Sequence, residues 1–519
     1  MKFKILVAML LLSTAAWATP EKPQVLTFNS GAEPDSLDPA ITTTVDGQNL
    51  SLQLFEGLVS LHPSEDKVIP GVAERWTLSP DGKIYTFYLR KTARWSDGSP
   101  LTAQDFVYAW ERAVNPKTGA QQAGRYQYIK NGKDYLAGKI KDPALLGFKA
   151  LDSHTFRVEL TYPFPPFLEL ASSATFMPVK KEIVEKYGDS WIQPEHIVSN
   201  GPFMLKAWRA YDRLVLVKNP NYWDAKNVSL DEIDALVIED LETALKLYET
   251  GQIDFLDHIP ITQVPFLKNR PDFHNTPSFG VYFYPINTQH PILKDPRIRR
   301  ALALSIDRKT LVENVLRIGQ KPALGWVPSG VQGYPYKEWI SYNPAQAKKL
   351  LAEAGYPDGK DFPVLKLSYN TNDAHKMIAE TIQQMWKKNL GIQVQMSNND
   401  WKIHVSNLHN HNFEIARFGG MGDYIYPATF LQDFVTGDPQ NTSQWTSPNY
   451  DKVWEEAARE VNPVKRLKLY SELEKILSEA MPTVPIYYYV NQWMVKPYVK
   501  GCYLKTLSSF VFKNVSIHR

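Results

Sequence analysis

Apolar positions follow a helical period in some segments of the chain and a strand period in others. Between residues 106 and 114 they recur at helical spacing, and Thr102 followed by Asp105 has the pattern of a helix capping box. The preceding run IYTFYL, at 84–89, is rich in aromatic and β-branched residues and favours a strand. The two patterns interleave, which predicts a mixed α and β protein.

Three further segments carry helix signals. Asn343 and Pro344 are typical of a helix start, and Gly355 is typical of its end. Apolar residues spaced three and four apart predict amphipathic helices from 241 to 248 and from 463 to 480. Proline and glycine mark the loops, and no repeat or low-complexity linker separates one part from another. A chain of 519 residues is too long for one core, so we expect two or three domains connected by several crossings.

The first eighteen residues have the features of a secretory signal peptide. Lys2 and Lys4 precede the apolar run at 5–12, and small residues at Ala16 and Ala18 fit a cleavage site after Ala18. The run is shorter than the ~20 residues of a membrane span, although an unremoved N-terminal anchor is the alternative. The residue directly after the site is Thr19 and not a cysteine, so we expect a soluble periplasmic protein without a lipid anchor.

Composition and motifs argue against several function classes. The formal net charge is only +3, which gives no basic surface for nucleic acid. The nucleophile elbow, the P-loop and the HExxH motif are absent from the sequence, so no enzyme class is favoured. The single cysteine, Cys502, is interpreted as a small buried residue. His404, His409 and His411 form the densest histidine cluster, which is either a metal site or a solvated helix end.

The segment EIARFGGMGDYIYP, at 414–427, is the most unusual stretch of the sequence. Glycines at three of four successive positions allow another backbone to approach closely. Arg417 and Asp423 flank them at a separation of roughly 20 Å if the chain is extended, which suits the two charged ends of a short peptide. The alternative from composition alone is that both residues form ordinary local salt bridges.

From about Phe28 to the C-terminus, the sequence resembles the periplasmic oligopeptide-binding proteins of ABC importers. These belong to the peptide and nickel branch of the family 5 extracellular solute-binding proteins. The resemblance rests on many ordered blocks, among them EPDSLDPA at 33–40, LFEGLV at 54–59, LRKTARWSDGSPLTAQDFVYAW at 89–110, NPNYWD at 219–224, DPRIRRALALSIDR at 295–308 and VPIYYYVN at 484–491.

The resemblance implies a type II periplasmic binding protein of the α/β class, with two lobes built from three interwoven domains. The implied division is a signal peptide at 1–18, domain I at 19–55, 183–279 and 490–519, domain II at 56–182, and domain III at 280–489.

The resemblance also implies a peptide that lies extended between the lobes and adds as a β-strand, with side chains in roomy, hydrated pockets. The acid that pairs with the peptide ammonium falls on Asp423, and the cation for the terminal carboxylate falls on Arg417. The histidine used for longer peptides falls on His375, with Asn370 nearby, and the pocket tryptophan falls on Trp401. The other implied peptide-binding residues are Gly419, Gly420, Met421 and Gly422 in the glycine-rich segment, and Thr43 and Val45 at an edge of the facing lobe.

The sequence departs from the family pattern at several positions. Gly420 and Met421 stand where peptide-binding relatives often have Trp and Cys, and the partner of that cysteine falls near Gly280. Leu316 stands where the family has a lysine for dipeptide carboxylates, and Gln122 stands where a ligand-contacting tyrosine is common. The arginine that reads an acidic side chain in murein-peptide binders falls near Leu408 of this sequence. These departures bear on peptide length and on any preference for murein tripeptide.

The leading hypothesis is therefore a non-catalytic monomeric receptor without a cofactor or resident metal. It would bind short peptides and deliver them to an inner-membrane ABC permease, without inserting stably in the membrane. The alternatives are the same fold with another ligand (a metal chelate, haem, a murein peptide or an antimicrobial peptide), a secreted peptidase, or a chaperone-like holder of unfolded segments.

Overall fold

The computed structural model describes residues 23–438 and 440–519. The predicted signal peptide and its cleavage site lie outside these ranges. Within them no helix is both long enough and apolar enough to cross a membrane.

The helix and strand signals of the sequence are confirmed. Residues Ala103–Val114 form a helix whose capping box is closed by Asp105, which accepts a hydrogen bond from the backbone N–H of Thr102 at 2.7 Å. The run Ile84–Leu89 is a strand in which every second side chain is buried. The helix at Pro344–Glu353 begins at Asn343, whose side chain accepts from Gln346 N.

Fifteen α-helices are present in the described ranges. They are α1 (Val45–Leu54), α2 (Ala103–Val114), α3 (Gly132–Leu136), α4 (Phe167–Leu170), α5 (Lys181–Tyr187), α6 (Leu241–Glu249), α7 (Val264–Leu267), α8 (Pro296–Leu304), α9 (Arg308–Thr310), α10 (Pro344–Glu353), α11 (Asp373–Leu390), α12 (Trp401–His409), α13 (Ala428–Leu431), α14 (Pro448–Arg459) and α15 (Pro463–Ala480).

The same ranges contain twenty strands. They are β1 (Val25–Asn29), β2 (Val59–Leu61), β3 (Val68–Pro70), β4 (Ala73–Leu78), β5 (Ile84–Leu89), β6 (Phe148–Asp152), β7 (Thr155–Glu159), β8 (Phe203–Arg209), β9 (Arg213–Lys218), β10 (Glu232–Leu236), β11 (Phe255–Leu256), β12 (Phe273–Pro285), β13 (Lys321–Pro322), β14 (Leu365–Asn370), β15 (Val394–Asn399), β16 (Ile415–Ala416), β17 (Phe418–Met421), β18 (Thr483–Val495), β19 (Val499–Lys500) and β20 (Ser516–Ile517).

The largest sheet joins parts of the chain that are far apart in sequence. Its strand order is β17-β12-β18-β11-β1-β10-β9-β8, with β13 paired to β18 as a ninth strand among the described residues. A four-stranded antiparallel sheet, β4-β5-β7-β6, forms within residues 73–159, and a three-stranded parallel sheet, β15-β14-β16, forms within 365–416. The large sheet therefore connects the segments that precede and follow these two smaller sheets.

The long strands β12 and β18 lie between two hydrophobic cores. Val281 and Tyr488 contribute to a core shared with residues of the first 235 positions and the C-terminal segment. Tyr282 and Tyr487 point to the other face, where their rings stack at 4.7 Å within the second core. Alternate residues of a strand face opposite sides of the sheet, so these two strands pack against both hydrophobic cores.

Candidate functional site

The glycine-rich segment forms the edge strand β17 of the large sheet. Gly420 is paired with Val281 of β12 in antiparallel register, and Gly422 N donates to Phe279 O at 2.8 Å. In an antiparallel ladder the hydrogen-bonded pairs alternate, so Gly419 and Met421 direct their N–H and C=O groups away from β12. β17 thus presents a short unpaired backbone edge, which is a template for an added strand.

Glycine is required at 419 because of its neighbours. A Cβ atom at this position would lie 2.5 Å from the Tyr489 hydroxyl oxygen and 3.3 Å from Nη2 of Arg417. The absence of a side chain therefore lets the hydroxyl and the guanidinium approach the strand on this face.

Arg417 lies at the start of β17, between two strands that belong to different sheets. It is 9% exposed, and its guanidinium donates to Asn370 Oδ1 at 3.2 Å and to the Tyr489 hydroxyl at 3.0 Å. The guanidinium carbon lies 4.7 Å from the ring centroid of Tyr282. None of these partners carries a negative charge, and Nε has no hydrogen-bond partner among the described residues. A buried cation with only neutral partners is a site for an anion.

Asn370 and His375, which the family resemblance implies as peptide-binding residues, both lie near this cation. Nδ1 of His375 is 3.4 Å from the Tyr282 hydroxyl. Burial, with smaller effects from Arg417 and His404, lowers the pKa of His375 to about 3. His375 is therefore a neutral hydrogen-bonding group at neutral pH. Trp401 begins α12 and is 52% exposed, so it is an accessible ring rather than a core residue.

Asp423 lies at the opposite end of the glycine-rich segment, beside a cavity of about 270 Å³. Its Oδ1 accepts a hydrogen bond from Nη2 of Arg125 at 2.6 Å, and its side chain is 48% exposed. Asp423, the acid that the family resemblance assigns to a peptide ammonium, therefore already has a cationic partner in Arg125, which lies 298 residues away in the sequence. The cavity is lined by Thr43, Val45, Gln48, Asn49, Leu52, Leu61, Gln122, Arg125, Glu169, Ser172, Ser173, Ala174, Met421, Gly422, Asp423, Leu507, Ser508 and Ser509.

Thr43 and Val45 line the cavity opposite Met421, but they do not form a strand. Val45 is the first residue of α1, and Thr44 is its N-cap. The backbone N–H of Thr43 donates to Asp35 Oδ2 at 2.7 Å, and its carbonyl accepts from the Gln48 side chain at 3.2 Å. This side of the cavity therefore offers an apolar side chain and a helix start rather than a strand edge.

Met421 and Gly280, which stand where relatives often have a pair of cysteines, are register partners. A Cβ at 280 would overlap the Met421 sulfur, so the thioether occupies the space over the glycine. The one cysteine, Cys502, is buried, and burial raises the pKa of its thiol well above the ordinary value. Cys502 is thus the small buried residue that the sequence predicted.

The histidine cluster is not assembled as a metal site. His404 is buried with Nε2 at 2.7 Å from the Arg417 carbonyl oxygen, and Nδ1 of His411 is 3.0 Å from Thr442 O. Within residues 23–438 and 440–519, the group of three potential ligand side chains that does converge lies elsewhere.

The segment after β17 contacts residues 128–169 directly. The Tyr128 and Tyr424 hydroxyl oxygens are 3.2 Å apart, and the Ile425 N–H donates to the Glu169 carboxylate at 3.0 Å. Burial raises the pKa of Glu169 to about 7, with Asp66 adding to the shift and Lys505 opposing it. Glu169 also lines the cavity beside Asp423.

Sequence reasoning missed Arg125, Tyr282 and Tyr489. The two tyrosines belong to aromatic runs at 282–284 and 487–489, a strand signal that places the first and third ring of each run on one face of the sheet. No local pattern marks Arg125, because its importance depends on a partner 298 residues away.

Two small sheets are joined by one large sheet, and a cavity lies beside the edge strand of the large sheet. This architecture defines a two-lobed binding protein. The chain belongs to the bacterial extracellular solute-binding proteins, family 5, because the model described as "Bacterial extracellular solute-binding proteins, family 5 Middle" matches residues 67–442. The predicted fold class, an α/β type II periplasmic binding protein, is confirmed.

Three relatives illustrate the similarity. The chain is 40% identical to the periplasmic oligopeptide-binding protein OppA of Salmonella typhimurium over 493 residues, covering 92% of this chain and 89% of the relative. It superposes on the Escherichia coli murein tripeptide binding protein MppA with a TM-score of 0.80 at 36% identity, covering 96% and 99% of the chains. The Haemophilus influenzae OppA complex with RPPGFSPFR gives a TM-score of 0.77 at 34% identity, covering 96% and 100%.

Proposed function

We propose that this protein is a periplasmic receptor that binds short peptides in an extended form and delivers them to an inner-membrane ABC permease. The observation that carries the proposal is the free edge of β17, which lies between a buried cation at Arg417 and an acid at Asp423. An incoming peptide would add to this edge, with its ends directed at the two charges. The oligopeptide-binding names of the relatives support the same ligand class.

Main-chain pairing explains how such a receptor would accept many sequences. The groups of Gly419 and Met421 that point away from β12 match an added strand whatever its side chains are. The remaining space beside Asp423, about 270 Å³, leaves room for a side chain and water.

The mechanism that we propose is closure of two lobes about the long strands. The division into domain I (19–55, 183–279 and 490–519), domain II (56–182) and domain III (280–489) remains our proposal. In its support, β12 and β18 run through the borders near 279 and 489, where continuous strands are suited to act as hinges. A ligand held by both lobes would stabilise the closed form.

The role is that of a binding protein rather than an enzyme. The family consists of solute-binding proteins, and both the family model and the alignment with OppA cover most of this chain. Export after cleavage at Ala18 and action as a monomer are part of the proposal.

Native mass spectrometry of the protein isolated from its own periplasm tests this function. We expect a distribution of released masses whose fragmentation gives short peptides of mixed sequence. A single recurrent non-peptide ligand, such as haem or a metal chelate, would contradict the proposal, as would an empty protein that fails to bind tri- to pentapeptides added afterwards.

A further inference from the structure

Three side chains converge at the carboxyl ends of two parallel neighbours in the large sheet, β1 and β11. Asp257 and His258 directly follow β11, and Asp46 is the second residue of α1. One ligand atom from each side chain lies within 4.8 Å of the others. The carboxyl edge of parallel strands is a common place for ligand sites, because the loops that leave the strands meet there.

Asp257 is the buried member of this cluster. It is 7% exposed, and its Oδ1 has no hydrogen-bond partner among the described residues. The same oxygen is 3.0 Å from Nδ1 of His258, close enough for an ion pair but without the alignment of a hydrogen bond. A buried carboxylate oxygen and a ring nitrogen that lie side by side can both be directed to a third atom.

Asp46 adds a second carboxylate at close range. A Cβ at Gly31 would lie 2.7 Å from Asp46 Oδ2, so the carboxylate is seated against a residue with no side chain. Burial, and then the charge of Asp257, raises the pKa of Asp46 to about 6. His258 adds an imidazole nitrogen beside the two carboxylates.

We propose that Asp46, Asp257 and His258 form a site for a divalent first-row transition metal ion, with zinc as the representative cation. Two carboxylates and one imidazole are ligands that zinc accepts, and three protein ligands leave a position for water. The His258 side chain is 55% exposed, which gives the ion a path from solvent. The site is separate from the proposed peptide cavity, although Val45, which precedes Asp46, lines that cavity. A bound ion would fix the start of α1 to the end of β11.

Isothermal titration of the mature, untagged protein with zinc chloride tests the site. We expect saturable binding of one ion per chain. His258→Gln should weaken binding at least about tenfold. His409→Gln is the matched control, since it removes an exposed histidine from the other histidine-rich segment, and it should leave binding unchanged.

Thermal unfolding gives a second readout. Zinc should raise the Tm of the wild-type protein and of His409→Gln, but not that of His258→Gln or Asp46→Asn, because an ion that binds only the folded state stabilises it. Absence of saturable binding to the wild-type protein would overturn the proposal, as would equal binding by His258→Gln. Either result would mean that His258 is only an imidazolium ion paired with two acids.

Discussion

At the scale of single residues, Arg417 and Asp423 differ in how well their charges are already satisfied. Arg417 is buried and has hydroxyl, amide and ring partners, whereas Asp423 is half exposed and has a guanidinium partner. An anion at Arg417 would therefore gain a charge-assisted hydrogen bond with no competing acid to displace. A cation that binds Asp423 must displace Arg125 from the carboxylate or share the carboxylate with it.

The first prediction concerns Arg417. Replacing it by glutamine should lower the affinity for peptides with a free carboxylate about 10- to 100-fold, since hydrogen bonds to charged groups contribute about 1.5–3 kcal/mol. Peptides with an amidated C-terminus should lose much less. Calorimetry of both peptides against Arg417→Gln measures the difference, and Arg459→Gln, at an exposed surface arginine, is the control. Equal losses for the two peptides would show that Arg417 only supports the fold.

The second prediction concerns the pair formed by Arg125 and Asp423. If Arg125 competes for the carboxylate, Arg125→Gln should increase the ratio of affinities for free-amine over N-acetylated peptide. The ratio is informative because any effect of the mutation on closure is common to both peptides. Competition titration with the two peptides provides it. An unchanged or smaller ratio in Arg125→Gln would show that the two cations do not compete.

At this scale the sequence predicted the charged ends of the site but not their surroundings. Arg417 and Asp423 stand out because they flank glycines within one segment. The pairing of Asp423 with Arg125 and the neutral state of His375 both arise from contacts between distant segments, and a local pattern carries no information about these.

At the scale of elements, the proposed site depends on a short edge strand whose two central residues are glycines. The helical and strand periods predicted α2, β5, α10 and α15 because each is set by local spacing and capping. The glycine-rich segment follows a second short strand, because β16 and β17 are separated only by Arg417 and pair in different sheets. The region near Val45 begins a helix, because Thr44 caps the N–H of Gly47.

The third prediction follows from the outward groups of Gly419 and Met421. Tetrapeptides N-methylated at successive positions should alternate in affinity, since only alternate peptide N–H groups face β17. The opposite wall holds no strand edge near Thr43, so methylation of the groups that face it should cost little. Calorimetry with the methylated series measures this. A uniform loss along the peptide would argue against strand addition.

At the scale of the whole molecule, the Ile425 N–H donates to the Glu169 carboxylate between segments that our proposed division assigns to different domains. The pKa of Glu169 is raised above its ordinary value of 4.5 to about 7 by burial at this contact. A raised pKa favours the contact with Glu169 protonated, so its contribution is complete below about pH 4.5 and is lost as the pH rises through 7.

The fourth prediction is that peptide affinity weakens roughly tenfold between mildly acidic and mildly basic pH, because opening the cleft lets Glu169 ionise in water. Glu169→Gln should flatten this dependence while it keeps an acceptor for the Ile425 N–H. Burial lowers the pKa of the neighbouring Lys505 to about 8, so the difference between wild type and Glu169→Gln is the quantity that reports on Glu169. Parallel pH profiles for the two proteins would contradict the prediction.

The most direct test compares a free-amine tripeptide with its N-acetylated form, by calorimetry, in the wild-type protein and in Asp423→Asn. If the receptor recognises an extended peptide by its charged ends, the wild-type protein should prefer the free amine by at least about tenfold, and the substitution should remove most of that preference. Equal binding of both peptides by the wild-type protein would contradict the account, as would a preference that survives in Asp423→Asn.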